Sequence, residues 1–313
     1  MASSSSAAAE ATPPWLDLPR DITAAILHRL GAFEILTSAQ NVCKSWRSVC
    51  QDPALWRSID MQNPGDPWET QYNLDKMCCH AVDRSQGQLT DISIEYFGSD
   101  DLLLCISHRC TQLRCLELVY SFGVTGDGLA AAVKNFPMLE ALHLYYTSIE
   151  AESIKAIGNS CPLLKSFKLN ARWYKEPHVI CDLEALAIAE TMPELRDLQL
   201  FGNKMTNEGL QAILDGCPNL EYLDLRQCFN VHFGEKLGRL CSQRIEDLRR
   251  PYDPTDDYEF DAEIYDCESS DDVSITGFSD MDTVSDDLDD DYLEFSDGSE
   301  PSSHDSFEDP YDI

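Results

Sequence analysis

The chain has 313 residues, of which 43% are hydrophobic and 25% charged, and it carries a formal net charge of −33. This hydrophobic content is sufficient for a globular core, whereas the strong negative charge disfavours nucleic acid as a ligand, because phosphate would be repelled. Residues 251–313 hold 24 of the 56 acidic residues and none of the 23 lysines and arginines. We expect this acidic tail to be disordered, because it has too little apolar content to bury a core.

Residues 1–13 are small and polar, and we expect them to be disordered as well. They contain neither the basic start nor the apolar run of a signal peptide or membrane anchor. The sequence therefore favours an intracellular protein of the nucleus, the cytoplasm or both, without membrane contact. In that setting the 13 cysteines are expected to stay reduced and to serve as small core residues. No C-x-x-C pair occurs, so neither a metal site nor a cofactor is expected.

Residues 16–56 combine short helical patterns with many large apolar side chains. Pro19 and Asp21 suit the first turn of a helix, and Gly31 is expected to end it. The apolar side chains of this helix recur at four-residue spacing, at Ile22, Ile26 and Leu30. A second helical pattern follows, with apolar side chains at Ile35, Leu36, Ala39, Val42, Cys43, Trp46 and Val49. So few residues cannot enclose all these side chains, and some of them are expected to pack against another protein.

Beyond this stretch the chain repeats itself. Five segments share a pattern of alternating leucines, namely CTQLRCLEL, FPMLEALHL, CPLLKSFKL, MPELRDLQL and CPNLEYLDL. Their first leucines are Leu113, Leu139, Leu164, Leu195 and Leu220, at intervals of 26, 25, 31 and 25 residues. An earlier copy begins at Leu89 and a broken later copy at Ile245, so about seven units are predicted.

The consensus L-x-x-L-x-L-x-x-[N/C] resembles that of leucine-rich repeats of the cysteine-containing class. The alternating leucines predict a strand with one buried face, and the ninth position predicts a side chain that bonds to the backbone as the chain turns. Ninth positions are occupied by Ser121, Thr147, Asn203 and Cys228. Thr125 and Thr206 are expected to cap the intervening helices, and three cysteines are expected to be buried at helix ends, namely Cys110, Cys161 and Cys217. The fold class is therefore α/β, with the strands inside a curved solenoid.

Three motifs in the first 56 residues occur in the order of a known module: LP at 18–19, VCKSWR at 42–47 and LW at 55–56. Together they resemble an F-box, and an F-box followed by leucine-rich repeats resembles a group of plant proteins. The resemblance implies a Skp-type adaptor of an SCF cullin ubiquitin ligase as the partner, with cullin bound through it, and a protein substrate on the repeats. The chain is accordingly divided into a disordered start, an F-box, the repeats and an acidic tail, at 1–13, 14–62, 63–250 and 251–313.

The resemblance also assigns adaptor binding to eight positions. They are Leu18, Pro19, Ile22, Ile26, Leu30, Val42, Trp46 and Trp56. Which of these face the adaptor and which face the core of the F-box is left open by the sequence.

Substrate contacts are predicted from strand alternation, because residues between and just after the last two leucines of each unit face the concave side. These residues are Glu117, His143, Tyr145, Lys168, Asn170, Gln199, Phe201, Asp224 and Arg226. Tyr145 and Phe201 are expected to be the main anchors, since exposed aromatic rings supply much of the binding energy of interfaces. The alternative is that these rings cover each other or the inserted loop at 171–179.

The long 31-residue interval contains that loop, ARWYKEPHV, whose aromatic residues either contact substrate or fold back onto the neighbouring repeat. No nucleotide-binding, hydrolase or metalloprotease motif occurs, and no cysteine lies in a recognisable catalytic setting, so the chain is expected to be non-catalytic. A repeat scaffold that acts outside a ubiquitin ligase is the alternative function. The tail is interpreted as a solvated extension, as an electrostatic lure for basic partners or as a regulated segment.

Overall fold

The computed structural model of the chain describes residues 18–61, 72–171, 179–260 and 262–263. These residues form a helical module followed by one parallel sheet. Helices connect the successive strands and pack on one face of the sheet. The architecture is the predicted α/β solenoid behind a helical module. Residues 1–13, the aromatic residues of the inserted loop and residues 264–313 lie outside the described residues, and so do the predictions made for them.

The helical module begins with three short helices, α1 (Arg20–Leu27), α2 (Gly31–Thr37) and α3 (Lys44–Cys50). Its core contains Leu27, Leu36 and Trp56, each at most 1% exposed. An ion pair outside the core joins Arg20 at the start of α1 to Asp52 after α3, with 2.8 Å between guanidinium nitrogen and carboxylate oxygen. The three helices thus enclose a small core that includes one of the two tryptophans predicted to bind the adaptor.

The helix boundaries in this module differ from the prediction at two residues. Helix α1 ends before Gly31, which opens α2 with a φ of +74° instead of capping α1, so Leu30 lies between the helices. The second predicted helix is divided, because Cys43 adopts an extended backbone and its sulfur accepts a hydrogen bond from the backbone N–H of Trp46 at 3.4 Å. Cys43 is therefore the N-cap of α3 rather than a residue within a long helix.

The described residues form an eight-stranded parallel sheet in which every strand lies beside its sequence neighbours. The strands are β1 (Ser58–Met61), β2 (Asp91–Glu95), β3 (Cys115–Val119), β4 (Ala141–Tyr145), β5 (Ser166–Asn170), β6 (Asp197–Gln199), β7 (Tyr222–Asp224) and β8 (Asp247–Arg249). The helices of the repeats are α4 (Leu74–Arg84), α5 (Asp100–Arg109), α6 (Gly126–Ala132), α7 (Ala151–Ser160), α8 (Leu183–Thr191), α9 (Asn207–Gly216) and α10 (Glu235–Arg244). Because neighbouring helices need about twice the spacing of neighbouring strands, the sheet lines the concave side.

The predicted repeat register is confirmed by the strand pairing. The central apolar residues of β3 to β7 pair in one row and are all 0% exposed, namely Leu116, Leu142, Phe167, Leu198 and Leu223. The sheet also contains a strand that the repeat pattern did not predict. Residues 58–61 were assigned to the F-box, but Ile59 pairs with Ile92 of β2, so the helical module leads directly into the first strand.

Most of the predicted local interactions are present. Thr125 and Thr206 cap α6 and α9, and the cysteines at the ends of α5, α7 and α9 are buried. At the ninth repeat position, Asn203 accepts a backbone hydrogen bond from Met205 at 2.9 Å and Cys228 donates to the carbonyl of Leu200 at 2.9 Å. The buried hydroxyls of the remaining two, Ser121 and Thr147, have no hydrogen-bond partner among the described residues.

One cysteine pair departs from the expectation that the thiols stay reduced. Cys79 of α4 and Cys105 of α5 form a disulfide between neighbouring helices. Within the part of the chain that the structure describes, no helix has the length and apolar content needed to cross a membrane. The same residues contain no cluster of His, Cys, Asp and Glu with the composition of a metal site.

Candidate protein-interaction surfaces

The eight residues predicted to bind the adaptor fall into two groups by exposure. Pro19 is exposed at the start of α1, and three large aliphatic side chains of the module are also exposed. They are Ile22 at 46%, Leu30 at 39% and Val42 at 59%. Exposed aliphatic side chains contribute little to folding, so each of these positions is available to a partner.

The other four residues pack into the module itself to different extents. Leu18 and Ile26 are half-buried, and Trp46 packs at the edge of the core. Trp56 is 1% exposed, its indole N–H donates to the carbonyl of Cys50 at 2.7 Å, and the guanidinium of Arg84 lies 5.5 Å from its ring. Of the two possibilities that the sequence left open for Trp56, the structure shows the core, because its ring packs between the module and α4 and offers no surface to the adaptor.

The nine residues predicted to contact substrate do gather on the concave face of the sheet. One row, running across the strands from Glu117 to Asp224, is formed by Glu117, His143, Lys168, Gln199 and Asp224, each paired with the next. Tyr145 and Asn170 lie in the adjacent row, which Phe201 and Arg226 continue just beyond the ends of their strands. The sheet register thus brings together residues that are more than a hundred positions apart in sequence.

These nine residues differ in exposure, and the expectation that Tyr145 and Phe201 present exposed rings is wrong. Three of them, Glu117, His143 and Lys168, are partly exposed. Six are buried, with Tyr145 and Asp224 at 0%, Phe201 and Asn170 at 1%, Arg226 at 3% and Gln199 at 6%. The partly exposed residues belong to the β3–β5 part of the face, and most of the buried residues belong to β6 and β7.

The buried aromatic residues are covered by the segment that follows β8. Residues 251–260, which we call the strap, were assigned to the disordered tail. The ring of Tyr258 stacks on Phe201, with centroids 3.9 Å apart and planes 7° from parallel. The ring of Phe260 packs against Tyr145, with centroids 4.5 Å apart. The expectation that the chain is disordered from residue 251 onward is therefore wrong for the strap.

The acidic residues of the strap pair with the cations of the concave face. Asp257 accepts a hydrogen bond from Arg226 and lies 3.5 Å from a guanidinium nitrogen of Arg249. The hydrogen bond from Arg226 holds the pKa of Asp257 below its usual range. Burial and the hydrogen bond that Tyr145 donates to Glu259, at 2.7 Å, raise the pKa of Tyr145. The strap therefore matches the concave face in both apolar shape and charge.

Arg226 also binds a second carboxylate, which belongs to Asp224 of β7. Its guanidinium donates to both side-chain oxygens of Asp224, at distances from 2.8 to 3.1 Å, and Gln199 donates to the same aspartate at 3.0 Å. Both members of this ion pair are almost fully buried, at 4% and 0% side-chain exposure. An arginine that is buried and hydrogen-bonded to both oxygens of a carboxylate is held in one position. Arg226 therefore supports the strap as part of the folded structure and is not a free contact residue.

At the uncovered end of the face, Glu117 and His143 are linked. The two side chains are 3.3 Å apart, and Ser93 donates to Glu117 at 2.9 Å. The hydrogen bond from His143 lowers the pKa of Glu117 against the opposing effect of burial. This end of the face thus presents an ionised carboxylate at neutral pH.

A row of stacked tyrosines borders the concave face and was missed in the sequence. Tyr96, Tyr120 and Tyr146 each directly follow a strand with a positive φ, and their rings stack with centroids 4.9 and 4.5 Å apart. Phe122, 64% exposed, lies against Tyr120, and Phe260 of the strap lies 6.0 Å from Tyr146. The recurrence of tyrosine at one repeat position is a sequence signal that could have identified this row.

The buried cysteines have no features of catalytic thiols. Burial raises the pKa of Cys50, Cys161 and Cys217 to about 11. Such thiols stay protonated at neutral pH and are poor nucleophiles.

The fold and these surfaces define a leucine-rich-repeat solenoid that carries an N-terminal helical module with an apolar surface. Comparison with known proteins matches both parts. Residues 15–62 match the family described as F-box-like. Residues 176–249 match the family described as "FBD-associated F-box protein At5g56370, LRR repeats".

Similar chains are found in Arabidopsis thaliana. F-box protein SKIP19 is 49% identical over 295 residues, which cover 94% of this chain and 94% of that protein. Putative F-box/LRR-repeat protein 23 is 50% identical over 247 residues, covering 77% of this chain and 54% of that protein, so the chain spans about half the length of this relative. A solved Rad7 and Elc1 complex from yeast, with a TM-score of 0.43, is 13% identical and covers 76% of this chain and 70% of that chain, a likeness too distant to carry a conclusion.

The chain belongs to the plant F-box proteins with leucine-rich repeats.

Proposed function

We propose that the chain is the substrate-recognition subunit of an SCF-type cullin ubiquitin ligase. Residues 14–62 bind a Skp-type adaptor and, through it, cullin. The observation that carries this proposal is the exposure of Ile22, Leu30 and Val42 on so small a module. Pro19, next to the start of α1, is the fourth exposed position of the proposed adaptor contact.

The concave face of the repeats holds a protein substrate in this proposal. Its accessible residues Glu117, His143 and Lys168 are the first candidates for contact. The chain contributes position rather than chemistry, because holding a substrate lysine near the charged conjugating enzyme raises its effective concentration. Ubiquitination and proteasomal degradation of the substrate, in the nucleus or the cytoplasm, are the expected result.

The proposal is tested by recovery of the adaptor with the tagged full chain. Ile22→Asp combined with Val42→Asp places two charges on the exposed apolar surface and is expected to reduce adaptor recovery by about tenfold or more. Leu183→Asp is the matched control, since Leu183 is 62% exposed but lies on α8 of the repeats. This control should recover the adaptor as the wild-type chain does.

Folding of each variant is checked by circular dichroism and by its urea midpoint. Normal adaptor recovery by the folded double variant would contradict the proposal and favour a repeat scaffold outside a ubiquitin ligase. Equal loss in the control would show that the effect is not specific to the F-box surface.

A further inference from the structure

The strap is held in the concave face by its side chains and by two of its backbone carbonyls. The carbonyl of Pro251 accepts a hydrogen bond from the backbone N–H of Gln227 at 2.9 Å, and that of Pro254 accepts one from Arg226 at 3.1 Å. Residues 257–260 have the sequence DYEF, in which acidic and aromatic residues alternate. The two rings pack on Phe201 and Tyr145, and the two carboxylates face cations of the sheet. The backbone N–H of Tyr258 bonds within the strap itself, to the carbonyl of Thr255 at 3.0 Å. This mode of contact is that of a short bound peptide with two aromatic anchors.

The groove beneath the strap has the complementary chemistry. Its floor contains the rings of Tyr145 and Phe201, and its cations are Lys168, Arg226 and Arg249. Lys168 contacts both the groove and the strap. Its ammonium lies 3.0 Å from the hydroxyl of Tyr145 in the groove and 3.9 Å from the carboxylate of Glu259 in the strap. An aromatic floor edged by cations selects a ligand that carries both aromatic and acidic side chains.

The contacts of the strap are also suited to exchange. The carboxylates of Asp257 and Glu259 are 54% and 58% exposed, so water screens their ion pairs with the groove. The strap is tethered close to β8, and its local concentration at the groove is therefore high even though each contact is modest. A partner peptide has to compete with this tethered segment. The apparent affinity of the peptide is therefore its intrinsic affinity multiplied by the fraction of chains in which the groove is open.

We propose that this groove is a docking site for a partner segment in which acidic and aromatic residues alternate, and that residues 257–260 are its resident mimic. Binding of the partner then displaces the strap. The inference rests on the proposed function only in taking the concave face as the partner-binding surface.

The test uses the full chain and a fluorescent peptide of residues 251–263, PYDPTDDYEFDAE, measured by fluorescence anisotropy. Tyr258→Ala combined with Phe260→Ala removes both anchors of the strap in the chain. This open variant is expected to bind the peptide about tenfold or more tightly than the wild-type chain. A peptide with alanine in place of Tyr258 and Phe260 should bind neither chain.

Tyr252→Ala is the matched control, because Tyr252 belongs to the strap but is 74% exposed and contacts Phe229 rather than the groove. This control should bind the peptide no better than the wild-type chain. Added salt should weaken the binding to the open variant, since the carboxylates of the peptide are expected to pair with cations.

A folded open variant that binds the peptide no better than the wild-type chain overturns the proposal and makes the strap a permanent part of the repeat structure. If the open variant fails to fold, Asp257→Asn combined with Glu259→Gln keeps both rings and loosens the strap. No gain in peptide binding by that variant overturns the proposal equally. Adaptor recovery is measured on the same variants, so a chain that binds the peptide but never the adaptor contradicts the proposed function alone.

Discussion

The ring of Tyr258 lies parallel to the ring of Phe201, with centroids 3.9 Å apart and planes within 7°. The repeat pattern places Phe201 on the open concave side, yet the residue is 1% exposed. A segment from beyond the last strand covers it. The folded repeat unit therefore extends at least to Phe260, ten residues past the boundary at Arg250 that the charge distribution predicts.

Stability should depend on the strap. Tyr258→Ala removes the stacked ring and exposes Phe201, so the free energy of unfolding is expected to fall by about 1–3 kcal/mol. Urea denaturation of the full chain measures the change. Tyr252→Ala, at an exposed ring of the same segment, should change it by less than about 0.5 kcal/mol. Equal effects of the two substitutions would show that the stacking contributes nothing specific.

Removal of residues 251–313 extends this test. The acidic composition of this segment suggests that its removal leaves the stability of the chain unchanged. The contacts of Tyr258 and Phe260 instead predict a loss of stability at least as large as that caused by Tyr258→Ala. The comparison is made by thermal unfolding of the two chains. An unchanged melting temperature after truncation would mean that the strap does not contribute to folding.

Arg226 is expected to be structural. Arg226→Ala leaves Asp224 as a buried carboxylate without its partner, so the free energy of unfolding should fall by about 3–5 kcal/mol. The control is Arg196→Ala, because the pair of Arg196 and Glu221 is more than half exposed on both sides. That substitution should cost less than about 1 kcal/mol. Similar values for the two variants, measured in urea, would contradict the assignment of Arg226 as a buried structural residue.

Two glycines in neighbouring helices should respond oppositely to alanine. A Cβ atom at Gly216 in α9 would lie 2.2 Å from the carbonyl oxygen of Ala189, whereas one at Gly238 in α10 meets nothing within 4 Å. Gly216→Ala is expected to destabilise the chain by about 1–3 kcal/mol through overpacking against backbone. Gly238→Ala should stabilise it by up to about 1 kcal/mol through helix propensity. Thermal unfolding distinguishes the signs, and a stabilised Gly216→Ala chain would mean that the helices are less closely packed.

The ion pair between the strap and the sheet should be lost in acid. Because Arg226 lowers the pKa of Asp257 below its ordinary 3.8, the folded chain takes up this proton less readily than the unfolded chain. The contribution of the ion pair between Asp257 and Arg226 to folding stability is therefore present above pH 3.8 and is lost as the pH falls through the lowered pKa of Asp257. We expect Asp257→Asn to lower the urea midpoint at neutral pH relative to Asp256→Asn, which makes the same charge change at the neighbouring residue. The difference should shrink as the pH falls below 3.8, and a difference that is constant with pH would exclude this ion pair as its cause.

The repeat pattern was sufficient to predict strands β2 to β8, their register, the threonine caps of α6 and α9 and the buried cysteines at helix ends. Each unit buries its leucines against its immediate neighbours, so the information that specifies a strand lies within a few tens of residues. The F-box motifs assigned one role to the exposed Ile22 and Val42 and to the buried Trp56, and did not separate these positions. That separation depends on α4, a helix of the first repeat, whose Arg84 lies over the indole ring.

The tertiary structure alone decided which residues of the concave face are accessible. Strand alternation correctly assigns Tyr145 and Phe201 to that side of the sheet, but it contains no information on what covers them. The covering residues Tyr258 and Phe260 come from a segment whose acidic composition suggests disorder, and their rings become partly buried only where the sheet supplies an aromatic floor and cations. Local pattern specifies which way a side chain points, whereas its exposure is set by contacts with segments that are distant in the sequence.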